Sequence, residues 1–271
     1  MTSDSKGDTE EDHAHCEEGQ ERELSTVTWT KLQDRISSGR LTKIILPIGS
    51  LEQHGPHLPL ATDALLADYV ARAVNEKCST TYLMPTIYIG CSGEHVGFPG
   101  TVSVQVDTMS NMLLDISKSL LENSKLTNLF IINGHGGNRA VIDATIRKIK
   151  DAIPEMNVCS FTIVDVAKKK FEEIRSSDKR FVGHADELET SMMLAIYPRL
   201  VDMSKAVNEG PKIPDALSFE PDDLTKVSFG WNAKDLTKSG VIGSPLFADV
   251  SKGRILLDFV ATVIADAINK L

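Results

Sequence analysis

The sequence is short of positive charge, of aromatic rings and of long apolar runs, and its few cysteines form no local pairs. Against 38 Asp and Glu stand only 29 Lys and Arg, a net charge of −9. Such a balance disfavours nucleic acid or an anionic membrane surface as the main partner. No apolar run approaches the ~18 residues that a membrane-spanning helix needs. Cys16, Cys78, Cys91 and Cys159 include no CxxC pair. A disulfide scaffold and a cysteine–zinc module are therefore not expected, and a reducing, cytoplasmic compartment is. What is present is an ordinary globular mix, 41% apolar and 25% charged over 271 residues with 6% aromatic. That is enough chain for one large α/β domain with a full core.

The charge is unevenly spread. Residues 1–24 hold nine acids against Lys6 and Arg22, so this stretch carries −7 of the total −9. It has too little apolar surface to offset its ordering entropy and is expected to be a disordered acidic arm. It has neither the apolar centre of a signal peptide nor the basic character of a transit peptide. His13, His15 and Cys16 lie in it, but a metal there would have to order a mobile tail. Residues 25–271 read as a single domain.

Within that domain apolar runs alternate with amphipathic stretches. Strands are expected at 43–49, 81–89 (interrupted by Pro85), 128–132 and 157–164. Helices are expected at 63–77 with Thr62 as N-cap, and at 109–123, 138–151, 186–197 and 252–271. Residues 201–245, rich in Pro, Gly, Asp and Ser, read as long loops. The alternation implies a mainly parallel sheet covered by helices on both faces.

Five histidines, His54, His57, His95, His135 and His184, sit beside glycine, proline or acid at or just past expected strand ends, where α/β proteins place ligand sites. In GSLEQHGPHLPLATD, Glu52, His54, His57 and Asp63 offer the carboxylate–imidazole set that binds Zn²⁺, Mn²⁺ or Fe²⁺. Asp63 opens a helix, where its charge is favoured and where it can bridge two ions. The plainer reading is a polar turn with a capping acid. In NGHGGN, glycines expose His135; the rivals are a phosphate cradle, which lacks the P-loop ending, and a core histidine. In GHADELET, His184 is suited to proton transfer, and Glu187 or Glu189 to metal binding, although first-turn acids are common in any helix. In SGEHVGFPGTVS, Glu94 and His95 are candidates for substrate contact or for supporting roles.

Together the segments LPIGSLEQHGPHLPLATDALLA, SGEHVGFPGTVS, INGHGGN, GHADELETS and GVIGSPLFADVSKG resemble the creatininase (creatinine amidohydrolase) family over about residues 43–253. The resemblance implies a three-layer α/β/α sandwich with a mainly parallel central sheet, a dinuclear metal site and a homo-oligomer, hexameric in creatininases proper. It matches Glu52, His54, Asp63 (bridging) and His135 to the family's metal ligands, and His184 and Glu189 to its HAGxxE-type motif. It also marks departures. Where creatininase proper has NGHYEN, whose glutamate holds the second metal, this chain has Gly137; Glu189 and Glu94 are the candidates to replace it. The creatinine-handling tryptophans have no match, only Trp29 and Trp231 being present, and Arg180 stands where one of them would be. The NGHGGN form is more like formamide hydrolases of flavin and deazaflavin biosynthesis, or like the peptidase that trims the mycofactocin precursor.

The expected activity is therefore hydrolysis of an amide, formamide or lactam C–N bond in a small molecule by metal-activated water. Glu52, His54, Asp63, His135 and Glu189 would hold one or two divalent ions, zinc first, with manganese or iron as alternatives. His184, Glu189 and Glu94 are the candidates for catalytic proton transfer, and Ser92, His95 and Asn138 for substrate contact. The alternatives are a metallopeptidase using the same residues, a non-catalytic binding protein that kept the fold, and a phosphate-binding α/β protein.

Overall fold

The computed structural model describes residues 22–178, 183–211 and 230–271. In chain order it contains α1 (Trp29–Ser37), β1 (Lys43–Ile48), α2 (Thr62–Lys77), β2 (Thr81–Leu83), α3 (Val106–Ser124), β3 (Asn128–Asn133), α4 (Asn138–Ala152), β4 (Asn157–Thr162), α5 (Ile163–Ile174), α6 (Glu187–Ile196), α7 (Ala233–Leu236) and α8 (Val250–Lys270). Among the described residues no helix is long and apolar enough to cross a membrane.

The four strands form one all-parallel sheet in the order β2-β1-β3-β4. Its central strands are apolar on both faces because both are buried. Ile45, Phe130 and Ile132 point into a core shared with α2, α5, α6 and α8. Ile44, Leu46, Ile48, Leu129 and Ile131 point the other way, into a core shared with α3 and α4 and flanked by Leu32 and Ile36 of α1. Three layers result, helices–sheet–helices, as the apolar patterning and the family resemblance imply.

Several boundaries differ from expectation. β2 ends at Leu83 rather than running to 89, and two prolines explain it. Pro47 lies in the central strand β1 and has no N–H to give; its carbonyl, which accepts from Ile87 N at 3.0 Å, shows that this side faces the β2 segment. There Met84 N bonds Ile45 O at 2.9 Å, Pro85 takes the chain out of the ladder, and pairing resumes only as a bridge between Ile48 and Ile87. The two missing donors thus fall at one place. Residues 163 and 164 are not strand but the first turn of α5, which buries Ile163, Ala167 and Phe171 at a helical spacing. Thr62 is not the N-cap of α2; the cap position is Ala61, and Thr62 Oγ1 donates to Pro59 O at 2.7 Å. Of the acidic arm, residues 1–21 lie outside the described residues, as do Arg180 and the candidate ligands His13, His15 and Cys16. Residues 22–24 lie beside β2, with Leu24 N on Leu83 O and Leu83 N on Arg22 O, both at 2.9 Å.

The strand order reverses direction between β1 and β3, which opens a crevice at their carboxyl ends. The N-terminus of α2 drops into it. A Cβ on Gly49, just after β1, would lie 2.2 Å from Ala64 N, and one on Gly134, just after β3, would lie 2.2 Å from Asp63 O. Both strand-end glycines are therefore required for the first turn of α2, with Asp63, to sit at the end of the sheet.

Candidate metal centre

Five segments converge at this crevice. The loop after β1 brings Glu52, Gln53 and His54, and α2 brings Asp63. The turn after β3 brings His135, the 3₁₀ turn Gly93–His95 brings His95, and the start of α6 brings His184 and Glu189. The six residues Glu52, His54, Asp63, His135, His184 and Glu189 are all at most 7% exposed, and His95 is at 2%.

Their ligating atoms form three triads, each with all atoms within 4.8 Å of one another: Glu52–Asp63–His135, His54–Asp63–Glu189 and Glu52–His54–His184. Asp63 joins the first two. Its Oδ1 lies 3.0 Å from His54 Nε2 and its Oδ2 3.0 Å from His135 Nδ1. Glu52 Oε2 lies 3.2 Å from the same His135 nitrogen. Glu52 Oε1 and Asp63 Oδ2 are fully buried and make no well-aligned hydrogen bond; the imidazoles of His95 and His135 approach them most closely, at 3.3 and 3.0 Å. A buried carboxylate oxygen without a bonded partner is costly, and a cation removes that cost. The mixed oxygen and nitrogen donors, with no thiolate, fit Zn²⁺, Mn²⁺ or Fe²⁺.

The electrostatics say the same. Burial pushes the Glu52 carboxyl up, as does the Asp63 charge, yet His135 and His54 together hold it at about 2. Asp63 is likewise held well below the usual carboxylate range, against its burial, by His54 and His135. Burial would lower His54, but Asp63 raises it to about 10. His135 is raised well above the ordinary imidazole value, against burial, by Glu52, Asp63 and Glu94. Protons on two imidazoles thus balance the carboxylates in the metal-free chain, and those are the protons that metal binding displaces. Glu189 behaves differently. Burial, with Asp63 and Asp186 nearby, pushes it up to about 8.

The outer nitrogen of each imidazole fixes which nitrogen faces the cluster. His54 Nδ1 donates to Glu52 O at 3.2 Å, so Nε2 faces Asp63. His135 Nε2 donates to Cys91 O at 3.0 Å, so Nδ1 faces the two carboxylates. His184 Nε2 donates to Gln53 O at 2.7 Å, so its Nδ1 lone pair points towards Glu52 Oε1, 3.7 Å away. His184 is held well below the usual imidazole range by burial and by its neighbours His54 and His95. Its ring lies between theirs, with centroids 4.3 and 4.2 Å away. Trp231 closes the row, edge-on to His95 at 6.2 Å.

Other expected residues do different work. Ser92 is fully buried; its hydroxyl pairs with that of Ser50, which donates to Glu52 Oε2 at 2.7 Å. Asn138, also fully buried, accepts from Cys91 N at 2.8 Å and donates to Gly49 O at 3.0 Å and Asn133 Oδ1 at 3.1 Å. Both are expected substrate contacts; in the structure their polar groups are bonded internally and brace the loops that carry the cluster. His95 does face the cluster, with Nε2 3.3 Å from Glu52 Oε1 and Nδ1 2.9 Å from the Gln53 amide. Glu94 enters no triad and lies against the outer nitrogen of His135, at 3.3 Å. His57 is the member of the first cluster left outside the triads, bonded to Thr190 Oγ1 at 2.9 Å. Glu187 turns away to Lys252 and to the backbone N–H groups of Ser176 and Ser177. Gln53, Ser50 and Trp231 were missed; for Gln53 the signal was its place inside EQH, flanked by two ligand candidates.

A model of the family described as "Creatininase: Creatinine amidohydrolase" matches residues 25–268. The chain is 30% identical to creatinine amidohydrolase of Pseudomonas putida over 261 residues, covering 91% of this chain and 96% of the relative. It is also 30% identical to the mycofactocin precursor peptide peptidase of Mycobacterium ulcerans, covering 92% and 90%. Among solved structures, a manganese form of creatininase and a zinc–zinc form of a creatininase mutant each superpose with a TM-score of 0.74, at 29% and 28% identity, over 92% of this chain and 98% and 97% of theirs.

Proposed function

The chain belongs to the creatininase family, and from that premise we propose that it is a divalent-metal-dependent amidohydrolase that cleaves a non-peptide amide, formamide or lactam C–N bond in a small molecule. One observation carries the reading: Asp63 joins two buried triads, and in the same cluster two carboxylate oxygens lack well-aligned hydrogen bonds.

In this reading Glu52, Asp63 and His135 hold one ion and His54, Asp63 and Glu189 a second, with Asp63 shared. Glu189 supplies the carboxylate that Gly137 cannot. Zinc is the first choice of metal, and manganese and iron suit the same donors. When bound, a divalent ion supplies Lewis acidity and brings the pKa of water from about 15.7 towards about 7. His184 stands ready at Nδ1 to take a proton inside the cluster and return it to the leaving nitrogen. Its Nε2 bond to Gln53 O keeps that lone pair turned inward. His95 and Trp231 form the wall beside it.

Creatinine is not the proposed substrate, given Gly137 and the lack of matching tryptophans. A metallopeptidase using the same residues is the second reading, favoured by the likeness to the mycofactocin precursor peptidase. A non-catalytic binding protein is disfavoured by the intact ligand set. A homo-oligomeric enzyme is proposed from the family resemblance, with sedimentation velocity as its check, and a cytoplasmic one from the scattered cysteines.

The deciding experiment is elemental analysis of the protein purified without added metal, wild type beside His54→Ala and Asp63→Ala. Near-stoichiometric metal in wild type, lost in both variants, supports the site; a wild type that stays metal-free after Zn²⁺ or Mn²⁺ addition refutes it. Formamides and lactams assayed against short peptides then separate the two enzymatic readings.

A further inference from the structure

We propose that Glu94 is a positioning residue for His135, and that Gly137 is glycine because the His135 ring and its two outer acceptors, Cys91 O and the Glu94 carboxylate, close on the space a side chain would take. The inference rests on the metal-centre reading above and extends it to two residues outside the ligand set.

Gly137 stands at φ −63° and ψ −25°, ordinary helical backbone that any residue adopts. Conformation therefore does not demand glycine. Space does: a Cβ there would lie 2.3 Å from Glu94 Oε1, 2.4 Å from His135 Nε2 and 2.7 Å from Cys91 O. Its neighbour Gly136 would meet nothing within 4 Å. Of the two glycines that follow His135, Gly137 is thus required by packing and Gly136 is not.

The Glu94 carboxylate has a definite task there. Glu94 projects from the short turn Gly93–His95, its side chain 21% exposed, and places Oε1 3.3 Å from His135 Nε2. The same nitrogen donates to Cys91 O at 3.0 Å. The N–H lies between two acceptors while the opposite nitrogen faces Glu52 and Asp63. This is a carboxylate–imidazole–ligand arrangement: the outer carboxylate fixes the ring's direction and makes the inner nitrogen a stronger donor to a metal. Where the family pattern carries a glutamate at position 137, this chain carries its extra carboxylate at position 94, behind the histidine rather than facing the ion. Glu189 fills the ion-facing place.

The test is zinc affinity by competition with a chromophoric chelator, for wild type, Glu94→Gln, Glu94→Ala, Gly137→Ala and the Glu94→Ala/Gly137→Ala double variant. Thermal melting of each metal-free protein serves as the folding control. Glu94→Ala is expected to weaken zinc by roughly 10–100-fold without lowering the metal-free melting temperature. Glu94→Gln, which keeps an acceptor but no charge, falls between it and wild type. Gly137→Ala weakens zinc at least as much as Glu94→Ala. The double variant is no weaker than Gly137→Ala alone, because the added Cβ has by then already displaced His135 from the acceptors that aim it, Cys91 O and Glu94. Wild-type affinity in Glu94→Ala, or losses that multiply in the double variant, would overturn the proposal. If instead wild type itself holds no zinc, and Asp63→Ala matches it, the metal-centre reading has failed rather than this one.

Discussion

Two helix N-termini meet at the centre, and they use the same sequence signal in opposite ways. Both α2 and α6 carry acids in the first turn, which the helix dipole favours anywhere. At α2 the cap position is Ala61, with no side-chain cap, and Asp63 is free to bind His54 and His135. At α6 the cap is Asp186, which accepts from Leu188 N and Glu189 N at 2.9 and 3.2 Å. With the cap supplied separately, Glu187 is tied to Lys252 and Glu189 turns into the cluster. Asp63 thus serves the cluster on a helix with no side-chain cap, whereas on α6 a separate acid caps the helix and the two glutamates that follow divide between Lys252 and the cluster.

Breaking this comparison has its largest effect at Asp63. Asp63→Ala removes the atoms common to two triads, so both ions should be lost. Metal content by elemental mass spectrometry falls to background, and activity on the eventual substrate falls by about a thousandfold or more. Asp186→Ala leaves every ligand atom in place and keeps measurable metal. A metal-replete Asp63→Ala protein would end the assignment.

Next come the two glutamates two residues apart on α6. Glu189→Gln removes a ligand of one triad only, so the ions per subunit should halve while the fold persists. Glu187→Gln should do the reverse. It strands Lys252 beside a buried neutral group, lowers stability by about 3 kcal/mol and leaves metal content unchanged. Denaturant unfolding and elemental analysis on the same preparations separate the two. Exchanged phenotypes would invert the reading of α6.

Much of this site is legible in the sequence, and what is not has physical reasons. Glu52, His54, Asp63 and His135 are readable because carboxylates and imidazoles at strand ends, among glycines, have few structural uses. Residues 187 and 189 point to opposite sides of a helix, so they could not both enter the cluster. Which one does is decided by Lys252, 65 positions away from Glu187. The burial of Ser92 and Asn138 is not legible, because small polar residues in glycine-rich loops normally face water; here neighbouring backbone groups and hydroxyls satisfy them in the interior. In the fold, β1 and β3 were readable as apolar runs buried on both faces. The start of α5 was not, because β4 passes into it with no turn residue between them, and Ile163 and Val164 suit either state.

The pH dependence of the metal-free protein sharpens the contrast between the two helix ends. His54 rises in the fold from 6.5 to about 10. Its contribution is therefore full below pH 6.5 and is lost as pH climbs through 10. Glu189 rises from 4.5 to about 8, so ionising it also destabilises the fold as pH rises through that window. Glu52 falls to about 2, a contribution present above pH 4.5 and lost in acid. His57, lowered to about 4, adds stability only as pH rises towards 6.5. Chelator-treated protein should thus melt at progressively lower temperature from pH 6.5 to 10, with the slope reduced in Glu189→Gln. Zinc-loaded protein should have a flatter profile, since the ion replaces the protons on His54. Equal slopes with and without metal would contradict the idea that these protons stand where the ions bind.

The smallest effect separates a true cap from an apparent one. Thr62 looks like the cap of α2 in sequence, yet its hydroxyl donates to Pro59 O, which also accepts from Thr62 N at 3.1 Å. Thr62→Ala therefore leaves that carbonyl bonded and should cost about 0.5 kcal/mol, the low end for one neutral hydrogen bond. Asp186→Ala orphans the buried N–H groups of Leu188 and Glu189 and should cost about 1–2 kcal/mol. It should also weaken zinc a few-fold, because the turn that aims Glu189 loosens, whereas Thr62→Ala leaves zinc affinity unchanged. Urea unfolding of the metal-free proteins with chelator competition on the same samples measures both. If Thr62→Ala proved the costlier of the two, α2 would have its cap at Thr62 after all.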